Sequence, residues 1–423
     1  MSIANGGLLP HQSRINPPTL FALFVLALPV AAQSPIHLAD RIVAKSELQS
    51  LHATNLVFRS VADPMAIEVP RENLVRWGTW PGVVKQRAAW LADGSWLAGE
   101  MHFNASGKLE IDNDWIQTPA IDLPMLRGLV LTPPASLRRW SELQQQMAAA
   151  DGTQDIVWLN SRQRISGVVR WPTNSDGTEI QHLNLETSNQ TTEIDIDDVQ
   201  AIVFSPTLLG PMKPHTHSML GLVDGSLLRV AEVTIADSRV RLRLSGLDLI
   251  SYESAAEFCQ AIAYLSDQPK RNTFLQDLQP ASYRNLTETK LQWELGIGQD
   301  VSGQALRSEA GLLFNGLAMH SASQVAYRWD GSPGQFLAEA TLAPLDRLSA
   351  PLGSVQCQIL LAREGALQKI SEFELTRQSG AQQSQLVDVE IAGAQLIVLL
   401  VEEADFGQYG DQVFWLEARC CSK

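Results

Sequence analysis

The second half of the chain contains aromatic and polar side chains whose types could together recognise a ligand. Recognition of a sugar ring needs aromatic faces for its C–H surface and fixed polar groups for its hydroxyls. The side chains that could supply this chemistry are Trp293, Tyr327, Trp329, Phe406 and Tyr409, with His320, Asp405 and Asp411 as polar partners. The alternative for each aromatic ring is core packing, and we expect it for Tyr327 and for Trp415, which lie in strand-like apolar runs.

An acidic loop near the C-terminus could hold a cation. Residues 402–411 are rich in carboxylates and contain two glycines, and oxygen ligands on a bent loop are what Ca²⁺ requires. The EF-hand spacing is absent, so Asp405 and Asp411 are candidate ligands of a structural Ca²⁺ or members of a solvated acidic turn. His215 and His217 could bind a metal or lie in a polar surface loop, and no other cofactor is indicated.

The sequence assigns no catalytic residue. Residues 33–270 contain no G-x-S-x-G, H-E-x-x-H or phosphate-cradling motif. A glycosidase would need two carboxylates held across a cleft, and the acidic residues here alternate along strand-like segments as a solvated face would. An enzyme of glycan processing therefore stays open only as an alternative.

Charge excludes one class of partner. The 423 residues include 32 Lys and Arg against 46 Asp and Glu, which gives a net charge of −14. Nucleic acids reward clustered positive charge, so we expect no nucleic-acid partner. The content of 28 Gly, 21 Pro and 11 Trp favours many short strands joined by turns.

The N-terminus indicates export. Residues 19–32 form an uncharged apolar run of 14, which is shorter than the ~20 residues of a membrane span but suits a signal peptide. Val30 and Ala32 fit a cleavage site before Gln33, so residues 1–32 are predicted to be removed, and a buried helix or an uncleaved anchor is the alternative. The product would be secreted, periplasmic or part of the cell envelope, without a membrane span after cleavage. A disulfide between Cys357 and Cys420 or Cys421 is then possible, with free buried thiols as the alternative.

Residues 33–268 form a β-rich repeat region. Related segments begin at Leu91, Leu159 and Leu222, and two of them carry Asp-Gly, a strong hairpin signal. A second element recurs at residues 121–133 and 194–206, and residues 67–75 look like a divergent copy. The pattern predicts small, barrel-like β-units, with helices at residues 135–150 and 253–265.

The remainder, residues 269–423, resembles a known family through three motifs. Leu275-Gln276-Asp277-Leu278-Gln279-Pro280 matches L-x-D-L-x-P, residues 316–321 match G-h-x-x-H-[AS] (h, an apolar residue), and residues 415–418 match W-x-[DE]-A. Their order over residues 272–421 is similar to that of the NPCBM family of carbohydrate-binding modules from exported bacterial proteins. Phe414 departs from the family, which often has Asp before the closing Trp.

This resemblance implies a galactose-binding-like jelly-roll β-sandwich and makes His320 the counterpart of the family's central His, in a ligand-binding or a structural role. The fold class predicted for the chain is therefore mainly β, with this sandwich preceded by repeated small β-units and two short helices. Carbohydrate is the expected partner of an exported, non-catalytic protein. The alternative is an envelope scaffold that binds cell-envelope proteins and has no affinity for sugar.

Overall fold

The computed structural model describes residues 34–60, 65–82, 86–104, 106–150, 152–171, 182–209, 218–267, 269, 271–287, 292–308, 310–344, 353–377, 383–404 and 410–422. Within those residues the chain forms 33 strands and two helices. The predicted signal peptide and the pair His215 and His217 lie outside the described residues. Neither described helix is long and apolar enough to cross a membrane.

The strands of residues 34–266 are short and antiparallel. The first eleven are β1 Ser34–Leu38, β2 Ile42–Leu51, β3 Asn55–Ser60, β4 Ala66–Pro70, β5 Leu74–Gly78, β6 Ala88–Leu91, β7 Trp96–Ala98, β8 Glu100–Phe103, β9 Leu109–Asp112, β10 Ile116–Gln117 and β11 Leu126–Val130. The next eleven are β12 Asp155–Leu159, β13 Arg164–Arg170, β14 His182–Glu186, β15 Thr191–Asp195, β16 Val199–Val203, β17 Ser218–Leu222, β18 Leu227–Val230, β19 Glu232–Ala236, β20 Arg239–Arg243, β21 Asp248–Ser254 and β22 Ile262–Ser266.

Sixteen of these strands join in one sheet, in the order β15-β14-β13-β12-β16-β11-β6-β7-β18-β17-β22-β5-β1-β2-β3-β4. Strands β10, β21, β20 and β19 form a second sheet, and β8 pairs with β9. One turn of 3₁₀ helix leads directly into a five-residue strand at four places: Arg71–Asn73, Leu123–Met125, Ile196–Asp198 and Cys259–Ala261. Two of these turns lie in the recurrent segments 121–133 and 194–206 of the sequence.

The two Asp-Gly dipeptides of the repeated segments form hairpin turns, as predicted. Gly94 closes the turn between β6 and β7 with φ of +87°, and Gly225 closes the turn between β17 and β18 with φ of +99°. In both turns the Asp carboxylate accepts a backbone N–H two residues later, at 2.8 Å from Ser95 and 2.7 Å from Ser226. The third segment has no glycine here, and Arg162 adopts the positive φ instead, at 68°.

One helix prediction is confirmed and the other is largely wrong. Helix α1 spans Leu137–Ala148 and begins at Ser136, whose hydroxyl accepts the backbone N–H of Arg139. The helix predicted over residues 253–265 is reduced to α2, Ala255–Phe258, followed by a 3₁₀ turn and by β22. Ile262 and Leu265 belong to a strand because β22 pairs with both β17 and β5, and two flanking strands outweigh a short helical period.

Residues 272–422 form a β-sandwich. Its strands are β23 Asn272–Phe274, β24 Ser282–Asn285, β25 Gly296–Ile297, β26 Gly316–His320, β27 Ser323–Arg328, β28 Gly334–Leu342, β29 Ser354–Arg363, β30 Ala366–Thr376, β31 Ser384–Glu390, β32 Leu396–Glu403 and β33 Gln412–Ser422. One sheet has the order β25-β26-β33-β28-β31 with β23 also paired to β33, and the other has the order β24-β27-β32-β29-β30. The apolar core lies between them and includes Tyr327 and Trp415. The predicted fold class, mainly β with a C-terminal sandwich, is confirmed.

The sandwich packs closely against residues 34–266. Trp80 exchanges backbone hydrogen bonds with Leu312 and its ring lies 5.9 Å from that of Phe314, which also approaches Tyr264. A Cβ atom on Gly311 would lie 2.1 Å from the Trp80 carbonyl oxygen, so this approach of the two backbones requires glycine.

All four cysteines are free and buried. Cys357 therefore forms no disulfide with Cys420 or Cys421 in this structure, which leaves the alternative of free thiols.

Candidate functional site

His320 ends β26 at one end of the sandwich. Side chains alternate along a strand, so Leu317 and Met319 face the sandwich core while Ala318 and His320 point to the opposite side. The residue is 8% exposed, and its Nδ1 lies 2.7 Å from the carbonyl oxygen of Ser321. The ring is therefore fixed in orientation and shows only a small edge to solvent.

Trp293 lies against this imidazole. The two ring centroids are 4.8 Å apart with an angle of 14° between the planes, which is a stacked arrangement. The pairing of β25 with β26, Gly296 opposite Ala318, brings the segment before β25 beside the end of β26. Trp293 is half-buried, so part of its indole stays open to solvent.

The main chain of Trp293 is clamped from β24. The amide of Asn285 accepts the Trp293 N–H at 3.3 Å and donates to the Trp293 carbonyl oxygen at 3.0 Å. The Tyr283 hydroxyl donates to the same carbonyl oxygen at 3.1 Å. Tyr283 and Asn285 are two residues apart on one strand, so their side chains share a face. Together they fix the main chain of Trp293 and thereby the position of its indole.

A buried corner supports His320 from below. The Ser321 hydroxyl donates to Asp411 Oδ2 at 2.9 Å, and the Ser321 N–H donates to the Asp411 carbonyl oxygen at 3.1 Å. The Ser323 hydroxyl donates to the His320 carbonyl oxygen at 2.6 Å. These bonds tie the turn between β26 and β27 to the start of β33.

The site carries a neutral imidazole and a nearby acid. Burial lowers the pKa of His320 below its ordinary value, opposed by its hydrogen bond to Ser321 and by the negative charge of Glu403. Leu286, whose backbone N–H bonds the Ala322 carbonyl oxygen, exposes 45% of its surface at the same corner. An open indole, an apolar rim and fixed polar groups thus meet within one surface.

The structure brings together two of the predicted ligand residues and separates a third. His320 and Trp293 form the stacked pair, whereas Trp329 follows the far end of β27, about 20 Å along that strand from its first residue, Ser323. The Trp329 indole donates to the Ser332 carbonyl oxygen at 3.0 Å and packs against the sandwich core. Phe406 and Tyr409 lie outside the described residues.

The metal prediction is left with one residue to examine. Asp405 lies outside the described residues, and Asp411 is fully buried, where it accepts the bond from Ser321. No group of three His, Cys, Asp or Glu side chains in the described part of the chain is placed to hold a metal ion.

Tyr283, Asn285 and Ser321 are the site residues that sequence reasoning missed. Ser321 stands inside the second motif and could have been noted as the partner of the adjacent histidine. Tyr283 and Asn285 carry no motif, since their role depends on the pairing of β24 with β27, Asn285 opposite Ser323.

No curated protein matches the sequence. Three solved structures are similar to parts of it. A CBM51 module of Clostridium perfringens GH95 with methyl-galactose has 18% identity and a TM-score of 0.29, over 35% of this chain and 99% of its own. The CBM51-2 and INT domains of Clostridium perfringens ZmpB have 16% identity and a TM-score of 0.31, over 46% of this chain and 40% of theirs. Tandem CBM51 modules of a family 98 glycoside hydrolase from Streptococcus pneumoniae have 12% identity and a TM-score of 0.30, over 77% of this chain and 99% of theirs.

The chain thus spans about two fifths of the length of the ZmpB domains that it matches. A family model, the NPCBM/NEW2 domain, matches residues 271–420, the range that holds the three sequence motifs, the sandwich and the stacked pair. The C-terminal third of this chain is an NPCBM/NEW2 domain.

Proposed function

We propose that the NPCBM/NEW2 domain binds carbohydrate at the corner formed by Trp293 and His320. The observation that carries this proposal is the half-open indole, stacked on a buried imidazole and clamped through its main chain by Tyr283 and Asn285. A ring held in one orientation before the ligand arrives costs little entropy on binding. The C–H face of a pyranose would lie on the open face of the indole.

His320 supports the platform in this proposal more than it contacts the sugar. One face of its ring is covered by Trp293, its Nδ1 is committed to the Ser321 carbonyl oxygen, and 8% of the residue is exposed. The hydroxyls of the sugar would meet the remaining edge of the imidazole and the exposed Glu403 beside it.

The test uses the full chain on a glycan array, followed by titration of the glycans that it retains. Trp293→Ala should weaken binding about 30-fold, since a central aromatic contact is worth about 2 kcal/mol. Trp293→Phe, which keeps a flat ring, should lose less. Trp329→Ala is the matched control and should leave affinity unchanged, because that indole lies at the other end of β27.

Two results would count against the proposal. Failure of the wild-type chain to retain any glycan would remove carbohydrate binding itself. Retention by Trp293→Ala with wild-type affinity would move the site elsewhere in the domain. Melting temperatures of all variants must be measured, so that loss of fold is not read as loss of binding.

The cellular setting belongs to the same proposal. The apolar run of residues 19–32 and the small residues before Gln33 support export to the cell envelope or beyond, with residues 34–266 presenting the domain or contacting envelope proteins. N-terminal sequencing of the protein from its native host should start at Gln33. We further propose binding without catalysis, so a retained glycan should be recovered intact after prolonged incubation.

A further inference from the structure

A buried charge network joins the NPCBM/NEW2 domain to the rest of the chain. Arg76 of β5 places Nη2 at 2.6 Å from Glu339 Oε2 of β28 and Nε at 3.3 Å from Glu417 Oε1 of β33. Arg419 of β33 adds a second buried guanidinium. It donates to the carbonyl oxygen of Leu38, which belongs to residues 34–266. Two acids of the domain are thus matched by two arginines, of which one comes from each side.

His37 is held neutral by its position in this network. It is fully buried, and its Nε2 lies 2.8 Å from Arg76 Nη2 and 3.1 Å from Glu339 Oε2. The guanidinium of Arg76 against Nε2 opposes a second positive charge on the ring, so the imidazole carries no charge. Burial, and then the charge of Arg76, lowers the pKa of His37 to about 3, against the opposing effect of Glu339.

Glu417 differs from His37 in that its position in the network favours binding of a proton. Its carboxylate is 1% exposed and faces Arg76 from β5, Glu339 from β28, Tyr264 from β22 and Arg419 from its own strand. Asn315 donates to its Oε2 at 3.1 Å. Burial raises the pKa of Glu417 to about 7, although both arginines and Asn315 lower it.

The backbone sets this orientation of Glu417. Leu337 lies opposite Arg419 and Glu339 lies opposite Leu416, so residues 417 and 418 of β33 share one partner position on β28. Glu417 has φ of 50° at this bulge. A bulge re-aims a side chain, and here the acid is turned into the junction.

We infer that His37 and Glu417 are a compensating pair that keeps the docking of the NPCBM/NEW2 domain on residues 34–266 stable in mild acid. The inference rests on the shared contact with Arg76 and does not depend on glycan binding. Each group exchanges one proton when the junction opens and its members meet water, and the two exchanges have opposite signs.

The sign follows from linkage. Below pH 6.5 the solvated His37 binds a proton and the docked residue does not. The equilibrium constant for opening therefore rises about tenfold for each pH unit of acidification. Between pH 7 and 4.5 the docked Glu417 holds a proton that the solvated residue lacks, so acid favours the docked state by the same factor. The two factors cancel between pH 6.5 and 4.5.

Stronger acid removes the balance. Below pH 4.5 Glu417 is protonated in both states, whereas Glu339, whose pKa in the docked state is about 2, adds its loss to that of His37. The hydrogen bond from His37 and the charge of Arg76 lower that pKa, although burial alone would raise it. The stability of the docked state should therefore be nearly constant down to pH 5 and should fall steeply below pH 4.5.

The experiment compares unfolding equilibria of full-length variants in urea from pH 4.5 to 7.5. For Glu417→Gln, the unfolding constant relative to wild type should rise about 100-fold between pH 6.5 and 4.5, because His37 then acts alone. For His37→Gln it should fall about 100-fold over the same range. The double variant should follow the wild-type profile, and His52→Gln, at an exposed histidine, should show no pH-dependent ratio.

Ratios that do not change with pH, or that change in the same direction for both single variants, would overturn the inference. Should a variant fail to fold, ¹⁵N-labelled histidine in the wild-type chain decides the matter by NMR. His37 must stay neutral down to pH 4.5, and protonation above that pH would also overturn the inference.

Discussion

Replacement of Arg76 by Met is the sharpest test of how the two parts of the chain are held together. The substitution keeps an apolar stem of similar length and removes the guanidinium that contacts Glu339 and Glu417. Loss of one partner from a buried ion network costs about 3–5 kcal/mol, because the remaining charges stay buried without compensation. We expect that loss in the free energy of unfolding at pH 7.5.

The cost should shrink in acid. Without Arg76 no guanidinium contacts His37 Nε2, which lies 3.1 Å from Glu339 Oε2, so a protonated His37 can replace the missing cation. Wild type gains no such proton, since burial and the charge of Arg76 lower the pKa of His37 to about 3. The difference between the two proteins should fall by about 1.4 kcal/mol per pH unit below pH 6.5, or by about 2 kcal/mol at pH 5.

Urea denaturation, monitored by tryptophan fluorescence, measures the loss of stability at pH 7.5 and its decrease in acid. Arg59→Met on the exposed face of β3 is the matched control and should change stability by no more than about 0.5 kcal/mol. A loss below about 1 kcal/mol at pH 7.5 would show that the network contributes little. A loss independent of pH would show that His37 does not substitute for Arg76.

Three further results are expected. Gly311→Ala should lower the melting temperature by several degrees because its Cβ would meet the Trp80 carbonyl oxygen. Gly152→Ala, whose Cβ would have its nearest neighbour at 4.0 Å, is the control and should leave the melting temperature unchanged. Equal effects of the two substitutions would contradict the close approach at Gly311. Tyr327→Phe should leave the free energy of unfolding within about 0.5 kcal/mol, because the hydroxyl has no hydrogen-bond partner among the described residues, and a loss above about 1.5 kcal/mol would reveal one. The four cysteines are free and buried, so reductant should not shift the melting curve and thiol reagents should react only on unfolding; rapid labelling of the native protein would refute this burial.

Local signals in the sequence were sufficient for part of the fold. Asp-Gly dipeptides identified two hairpins, and the run after Pro133-Pro134 identified α1, because both depend on residues close in sequence. Residues 262–265 were misassigned because their conformation is decided by β17 and β5, strands that are distant along the chain. The helical spacing of the apolar residues there reflects burial of both faces of β22, whose five residues are all buried.

The candidate site divides in the same way. His320 could be found because it stands in a motif, whereas its contact with Trp293 depends on the pairing of β25 with β26. Nothing in the sequence separates Trp293 from Trp329 as a candidate ligand residue. Trp293 comes just before β25, which pairs with the His320 strand β26, whereas Trp329 follows β27, and only the sheet register reveals this difference.

The sequence motifs of the domain are mainly structural in this chain, and their contacts explain their wide separation. Gln276 of the first motif donates to Asn315 Oδ1 at 2.9 Å and accepts the backbone N–H of Gly316, the first residue of the second motif, at 2.8 Å. Asn315 in turn donates to Glu417 of the third motif at 3.1 Å. This chain of hydrogen bonds fixes the beginning of β26 to the charge network.

The other end of β26 carries His320, four residues and about 13 Å further along the strand. The same strand is thus anchored in the junction by Gly316 and supports the stacked pair by His320. All five of its residues pair with β33, from Gly316 opposite Leu416 to His320 opposite Gln412. Because a strand paired along its whole length moves as a unit, the junction and the candidate binding corner share one rigid element, and the direction in which Trp293 faces is set by how the domain docks.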